Sequence, residues 1–253
     1  MMIGTEEGVG TMQRIDIIAF VGEDVYCKQT PEMLLAQMDR CGVAKTFIAP
    51  AEKYVTVYNR EGNDLIAQAC KRWPDRFCGY AVANPWYGEA AVAELKRALD
   101  SGLKAVYFDS SIQGFTISDE IVYPLIEVCR EYKVPVYFHS GTPAFALPFQ
   151  LHFLAEKFPD VQFIMGHSGA NDFAGDAVPA LRGCPNIWLE TSTNLTVSYR
   201  AFTEAAPDRV LFGSAAPRSK LGYEIQRAEK GVIGEEKLEA LFSGNAKKLF
   251  DWL

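Results

Sequence analysis

The sequence predicts a closed (β/α)8 barrel of the TIM type, an α/β fold built as a single domain. Eight short runs rich in β-branched and aromatic residues alternate with longer amphipathic segments. The 253 residues suit a barrel of this kind, and no Ser/Gly-rich linker or charge block divides them. We therefore expect one domain over residues 1–253, with residues 1–12 as a flexible N-terminal extension.

Each predicted element follows from local signals. The first helix, 31–40, has Thr30 as its N-cap, Pro31 at its first position and Gly42 after its end. The eight predicted strands are 14–21, 45–49, 77–83, 104–109, 135–139, 162–167, 187–191 and 209–214. The predicted helices are 31–40, 63–73, 89–99, 120–132, 149–158, 172–182, 198–206, 222–230 and 235–252. An open doubly wound sheet is the alternative, but the chain lacks the glycine-rich loops of nucleotide-binding versions.

Composition narrows the class of partner. The formal net charge is -7, which argues against general nucleic-acid binding because such proteins present a basic face. No apolar run reaches the roughly 18 residues of a membrane span. The six cysteines are scattered and no secretory signal is visible, so we expect reduced thiols in a cytoplasmic protein. Cys27 is singled out because it follows the first strand.

In a parallel barrel the active site lies at the C-terminal ends of the strands, so those residues matter most. Asp109, His139 and His167 end three consecutive predicted strands, and Glu190 ends the next one. Two of the three histidines in the chain therefore fall at strand ends, whereas His152 falls inside a predicted helix. We predict catalytic roles for Asp109, His139 and His167.

Two further positions complete the candidate site. On the first strand Asp16 shares one face with Ile18 and Phe20, because side chains alternate with a period of two. Arg218 follows the eighth strand and is a candidate for contact with an anionic ligand, with a solvated surface charge as the alternative. We predict substrate contacts for Asp16, Glu190 and Arg218.

Short motifs at these strand ends resemble the amidohydrolase-related family, in the branch that includes aminocarboxymuconate-semialdehyde decarboxylase. In order along the chain they are Ile15-Asp16, the segment 63–85, Pro135-Val136-Tyr137-Phe138-His139, Phe163-Ile164-Met165-Gly166-His167, Leu189-Glu190-Thr191-Ser192 and Leu211-Phe212-Gly213-Ser214. The resemblance implies a (β/α)8 barrel that performs metal-dependent hydrolysis or decarboxylation of small molecules. It also implies a homodimer.

The departures from the family pattern concern the metal. The resemblance implies His-x-His after Asp16 and an Asp after Ser214, but this chain has Ile18, Phe20 and Ala215 there. Of the implied ligands His139 remains, and His167 matches a histidine that in the family sometimes reaches the metal. Catalytic zinc takes about three protein donors. We therefore expect a divalent metal such as Zn to bind weakly at His139 and His167, and the metal-dependent chemistry to be impaired.

Three hypotheses follow. In the first, a relocated metal site uses Asp109, His139 and His167, with Glu190 as a fourth donor. In the second, His139 or His167 moves a proton without a metal, since the pKa of histidine lies near neutrality. A Cys27 thiolate beside a histidine is a variant of this second hypothesis.

In the third hypothesis the barrel is non-catalytic. It binds a small molecule, or it assembles with an active homologue. Ile18, Phe20 and Ala215 stand on two strands where the resemblance implies three metal ligands, and the joint absence of these ligands favours this interpretation. The predicted ligand is a small molecule, and neither nucleic acid nor a membrane is expected as a partner.

Overall fold

A computed structural model describes residues 12–25 and 28–253. The predicted N-terminal extension therefore lies outside the described residues except for Met12, and so does Cys27. Within the described ranges, no helix combines the length and the apolar character needed to cross a lipid bilayer.

The described residues form a nine-stranded sheet in the order β2-β1-β3-β4-β5-β6-β7-β8-β9. All neighbours pair in parallel except β2, which pairs antiparallel with the end of β1. The strands are β1 Arg14–Glu23, β2 Lys28–Gln29, β3 Val43–Pro50, β4 Phe77–Ala81, β5 Ala105–Phe108, β6 Val136–His139, β7 Phe163–Gly166, β8 Ile187–Glu190 and β9 Val210–Leu211.

Backbone hydrogen bonds close this sheet into a barrel. Ile17 N donates to Phe212 O at 2.9 Å, and Ala215 N donates to Ile18 O at 2.8 Å. A parallel bridge then joins Ala19 to Ala216 just beyond β9. The eight parallel strands among the described residues therefore form a closed ring, which confirms the predicted barrel.

Helices connect successive strands and cover the outside of the ring. The α-helices described are α1 Pro31–Cys41, α2 Glu52–Thr56, α3 Asn59–Arg72, α4 Glu89–Asp100, α5 Ser110–Gln113, α6 Tyr123–Tyr132, α7 Pro148–Lys157, α8 Ala170–Leu181, α9 Thr196–Ala205, α10 Leu221–Gly231, α11 Glu235–Glu239 and α12 Asn245–Leu249. The Thr30 hydroxyl accepts a hydrogen bond from Met33 N, and Gly42 is left-handed, as predicted for the two ends of α1.

The differences from the predicted elements lie mostly in the loops. The short helices α2 and α5 were not predicted, since four or five residues carry no clear periodicity. The predicted helix 235–252 is interrupted by a π-helical turn, Ala240–Gly244, between α11 and α12. The first of these differences matters for function, because α2 lies over the C-terminal end of the barrel.

The barrel has an outer and an inner core. The outer core fills the space between strands and helices, whereas the inner core is made by side chains that point toward the barrel axis. On β5, Val106 and Phe108 face outward while Ala105 and Tyr107 face inward. Neighbouring strands add Tyr80 and Tyr137 to the interior, and the three tyrosine rings lie 5.3–6.2 Å apart between centroids.

Asp16 lies in the seam where the barrel closes. Its carboxylate is fully buried and accepts hydrogen bonds from Ser214 N at 2.8 Å, Ser214 Oγ at 2.6 Å and Ile18 N at 3.2 Å. These contacts hold the segment after β9 against β1 and leave both oxygens occupied. The position favours a structural role for Asp16, and its assignment as a substrate contact stays a prediction.

Asp16 should give the stability of the protein a pH dependence of definite sign. Burial raises the pKa of Asp16 from 3.8 to about 7, against the opposing effect of its hydrogen bonds to Ser214 and Ile18. A carboxyl group with a raised pKa contributes stability that is complete below its unfolded pKa and is lost as the pH rises through its folded pKa. The difference in free energy of unfolding between wild type and Asp16→Asn should therefore fall between about pH 4 and about pH 7. Urea denaturation across this range measures it, and a rising difference would contradict the assignment.

Candidate functional site

Four of the predicted site residues meet at the C-terminal end of the barrel. Asp109 follows β5, His139 ends β6, His167 follows β7 and Glu190 ends β8, so their order around the ring matches their order in the chain. The ring centroids of His139 and His167 lie 4.9 Å apart. The structure thus brings these side chains together as the strand-end argument predicts.

Glu190 is the best-connected residue of this group. Its carboxylate is fully buried and accepts from Tyr137 Oη at 2.8 Å, His167 N at 2.9 Å and Ser192 Oγ at 2.9 Å, with a further short contact from Ser192 N. Burial raises the pKa of Glu190, and these donors oppose the rise. One carboxylate therefore connects β6, the turn after β7 and the segment after β8.

Two glycines make room for this carboxylate and its tyrosine partner. A Cβ atom on Gly166 would lie 2.2 Å from the Tyr137 ring, and one on Gly213 would lie 2.1 Å from Glu190 Oε1. Neither contact is tolerable, because the Tyr137 ring and the Glu190 carboxylate are both buried and have no space to move. The glycines of the motifs ending in His167 and Ser214 are thus explained by close approach rather than by turn geometry.

The backbone after β7 is strained. His167, Ser168, Gly169 and Ala170 all have positive φ, and for the three non-glycine residues this costs about 1–3 kcal/mol each. Hydrogen bonds compensate: Ser168 Oγ donates to Glu190 O at 2.9 Å and Asn194 Nδ2 donates to His167 O at 2.6 Å. The turn sets the direction of the His167 ring at the top of the barrel.

The His167 ring is polarised by Ser192. His167 Nδ1 lies 2.7 Å from Ser192 Oγ, whose hydrogen is donated to Glu190. Nδ1 then carries the hydrogen of the neutral ring and Nε2 keeps its lone pair. Burial, the adjacent His139 ring and the charge of Arg218 together lower the pKa of His167 well below its ordinary value. The neutral ring presents an acceptor at Nε2, to which no described residue hydrogen-bonds.

His139 has a different environment. Its Nε2 lies 2.9 Å from Thr142 Oγ1, whereas the buried Nδ1 has no hydrogen-bond partner among the described residues. Asp109 Oδ2 lies 3.9 Å from that Nδ1, which is too long for a hydrogen bond. Burial lowers the pKa of His139, Asp109 opposes this effect and Arg218 reinforces it. The Nδ1 atom of His139 therefore lies near Asp109 without a hydrogen bond to it.

Arg218 covers the centre of the barrel opening. Its guanidinium carbon lies 4.5 Å from the centroid of the Phe20 ring, and its Nη2 is paired with Glu52 Oε1 at the start of α2. The Arg218 side chain is 26% exposed, and its contacts with Phe20 and Glu52 distinguish it from a freely solvated surface charge. The Phe20 ring is in edge contact with Tyr107, whose buried hydroxyl lacks a hydrogen-bond partner among the described residues.

The model of a protein family described as Amidohydrolase matches residues 25–252 of the chain. The protein belongs to the amidohydrolase family. Gamma-resorcylate decarboxylase from Polaromonas sp. is 23% identical over 76% of this chain and 75% of its own length. The 2-amino-3-carboxymuconate-6-semialdehyde decarboxylase of Dictyostelium discoideum is 31% identical over a shorter stretch, 30% of this chain and 22% of its own length.

A solved structure shows the same fold. Dihydroxybenzoic acid decarboxylase from Polaromonas sp., with bound manganese and the inhibitor 2-nitroresorcinol, superimposes with a TM-score of 0.73 at 18% identity. The match covers 94% of this chain and 96% of that one. This structure confirms the barrel, and the family match together with the two decarboxylase relatives confirms the family branch expected from the sequence motifs.

Three positions where the family resemblance implies metal ligands carry apolar residues in this amidohydrolase. Ile18, Phe20 and Ala215 are buried hydrocarbon side chains in the inner core and offer no lone pair. Among the described residues, no group of three or more His, Cys, Asp or Glu side chains could hold a metal ion. The described part of the chain therefore gives no support to the relocated site of Asp109, His139 and His167.

Several residues of this site were not anticipated from the sequence. Tyr107 and Tyr137 stand two positions before Asp109 and His139, so the two-residue period of a strand could have indicated that they share a face. Ser192 lies two residues after Glu190, in the motif Leu189-Glu190-Thr191-Ser192. Glu52 carried no signal, because its position depends on the unpredicted helix α2.

Ser192→Ala should destabilise this amidohydrolase by about 1–3 kcal/mol, because His167 Nδ1 and Glu190 would each lose a buried partner. Ser198→Ala is the matched control, since Ser198 is only half-buried on α9. Chemical denaturation of both variants at one pH makes the comparison. Equal stability of the two variants would show that the Glu190–Ser192–His167 chain contributes nothing to folding.

Proposed function

We propose that this protein binds a small aromatic carboxylic acid at the opening of the barrel and does not carry out a metal-dependent reaction. The observation that carries the proposal is the Arg218 guanidinium held over the Phe20 ring. Phe20 occupies one of the positions where the family resemblance implies a metal-binding histidine. The centre of the opening thus holds an organic cation on an apolar surface, which suits an anion with an aromatic body.

The groups around Arg218 support the choice of ligand. Tyr107 Oη is a buried donor without a partner in the described structure, so a carboxylate near Arg218 would have a second donor close by. Phe20 and the His139 and His167 rings, which meet edge to face, provide aromatic walls. His167 Nε2 offers an acceptor for a phenolic hydroxyl.

The relatives suggest the chemical class. One is named gamma-resorcylate decarboxylase, and the solved structure is of a dihydroxybenzoic acid decarboxylase. Both names refer to an aromatic ring that carries a carboxylate and hydroxyl groups. We extend this class to the present chain as a ligand, because its arginine, tyrosine and histidine groups complement those features.

The remaining residues would orient the ligand and exclude water. The loss of lone pairs at Ile18, Phe20 and Ala215 supports a degraded metal site and the lack of metal-dependent activity. Association as a homodimer or with an active homologue, and a cytoplasmic location, stay predictions.

Protein purified without chelator should contain far less than one divalent ion per chain, because His139 and His167 alone offer too few donors. Inductively coupled plasma mass spectrometry on wild type, His139→Ala and His152→Ala measures this content. His152 is the control, since it lies on α7 and bonds to Ala180 O. One full equivalent of manganese or zinc that disappears only in His139→Ala would overturn the proposal.

Arg218→Gln should weaken binding of 2,6-dihydroxybenzoate by about tenfold or more, since a hydrogen bond to a charged group contributes about 1.5–3 kcal/mol. Arg200→Gln, which removes an exposed arginine on α9, is the control for net charge. Isothermal titration calorimetry gives the affinities, and release of carbon dioxide is assayed in parallel. Wild type that binds no dihydroxybenzoate, or that decarboxylates it, contradicts the proposal.

A further inference from the structure

Glu52 occupies the same guanidinium that an external carboxylate would need. Building on the binding function proposed above, we propose that Glu52 is an internal carboxylate that masks Arg218, and that a carboxylate ligand binds by displacing it. Glu52 begins α2 and does not lie at the end of a strand. It makes the affinity of the site a competition between two carboxylates for one cation.

The contact has the geometry of a masking interaction. Glu52 Oε1 and Arg218 Nη2 form a close ion pair, and 26% of each side chain is exposed. Arg218 is at the same time in cation–π contact with Phe20, so one face of the guanidinium is covered by the ring and one edge by the carboxylate. A ligand carboxylate can form charge-assisted hydrogen bonds to Arg218 only where Glu52 leaves it free.

The charges around the opening make displacement necessary for tight binding. Asp109 and Asp24 lie close enough to Glu52 to raise its pKa, although burial contributes more and Arg218 opposes both. Within the described residues, both Glu52 and Asp109 act on the Arg218 charge. An incoming anion meets a net negative field while Glu52 stays on Arg218, and like charges repel.

Hydrogen bonds hold the backbone segments that carry Glu52 and Arg218, so displacement of Glu52 by a ligand involves side chains only. On one side Ala51 N donates to Val21 O at 2.9 Å, and Gln113 Nε2 donates to Val55 O at 3.2 Å, which fixes α2. On the other side Ser219 Oγ is hydrogen-bonded to the buried Glu224, which fixes the loop after β9. Rotation of the Glu52 side chain away from Arg218 requires neither segment to move.

The test compares Glu52→Gln with Glu23→Gln. Glu23 ends β1 near the opening and pairs with Lys28, so its substitution removes the same charge without touching Arg218. Binding of 2,6-dihydroxybenzoate and of resorcinol, which lacks the carboxylate, is measured by calorimetry. The rate at which 2,3-butanedione modifies Arg218 is measured by peptide mass spectrometry, which reports masking without any ligand.

We expect Glu52→Gln to bind 2,6-dihydroxybenzoate about threefold or more tightly than wild type, because removal of the competitor raises the fraction of free Arg218. Resorcinol affinity should not change, Arg218 should react faster with butanedione, and Glu23→Gln should behave like wild type. Equal dihydroxybenzoate affinity in wild type and Glu52→Gln overturns the displacement while leaving the binding function intact.

Failure of the binding function gives a different pattern. In that case 2,6-dihydroxybenzoate binds to none of the three proteins. Faster modification of Arg218 in Glu52→Gln would then still support masking by Glu52, and an unchanged rate would overturn it.

Discussion

Closure of the barrel depends on the seam between β1 and the segment after β9, where the buried carboxylate of Asp16 reinforces the backbone hydrogen bonds. The last strand, β9, has only two residues, so few ladder hydrogen bonds are available to join it to β1. Asp16 supplies what the short strand lacks by accepting from both the backbone and the side chain of Ser214. Because Ala215 and Arg218 follow directly in the chain, this contact also determines where the loop over the opening begins.

A second buried carboxylate organises the opposite side of the opening. Glu190 gathers donors from three neighbouring segments and fixes the strained turn that carries His167. Between the two carboxylates lies a centre with one guanidinium, one aromatic ring and two largely neutral imidazoles. The guanidinium is that of Arg218, which lies over the Phe20 ring.

The sequence was sufficient for the barrel and for the convergence of Asp109, His139, His167 and Glu190. Both depend on strand ends, and parallel strands place their C-terminal ends on one face whatever the loops do. The structure of the loops could not be predicted in the same way. Helix α2 has five residues and no periodic pattern, so neither its existence nor the contact of Glu52 with Arg218 could be predicted.

The contacts of Arg218 could also not be predicted from the sequence. Its residue type and its place after the last strand suggested contact with an anion, but its contacts with Phe20 and Glu52 could not be known without the structure. The partner ring belongs to Phe20, some two hundred residues earlier, and the two meet only because the barrel closes. Long-range contacts of this kind leave no trace in local composition or periodicity.

The Phe20–Arg218 contact has a consequence for the evolution of this protein. A histidine at position 20 would remove the ring beneath the guanidinium, while Ile18 and Ala215 would still offer no lone pair to an ion. Such a single substitution would therefore lose the contact with Arg218 without creating the roughly three donors that catalytic zinc takes. A metal centre at this end of the barrel would therefore require changes at several of these positions together.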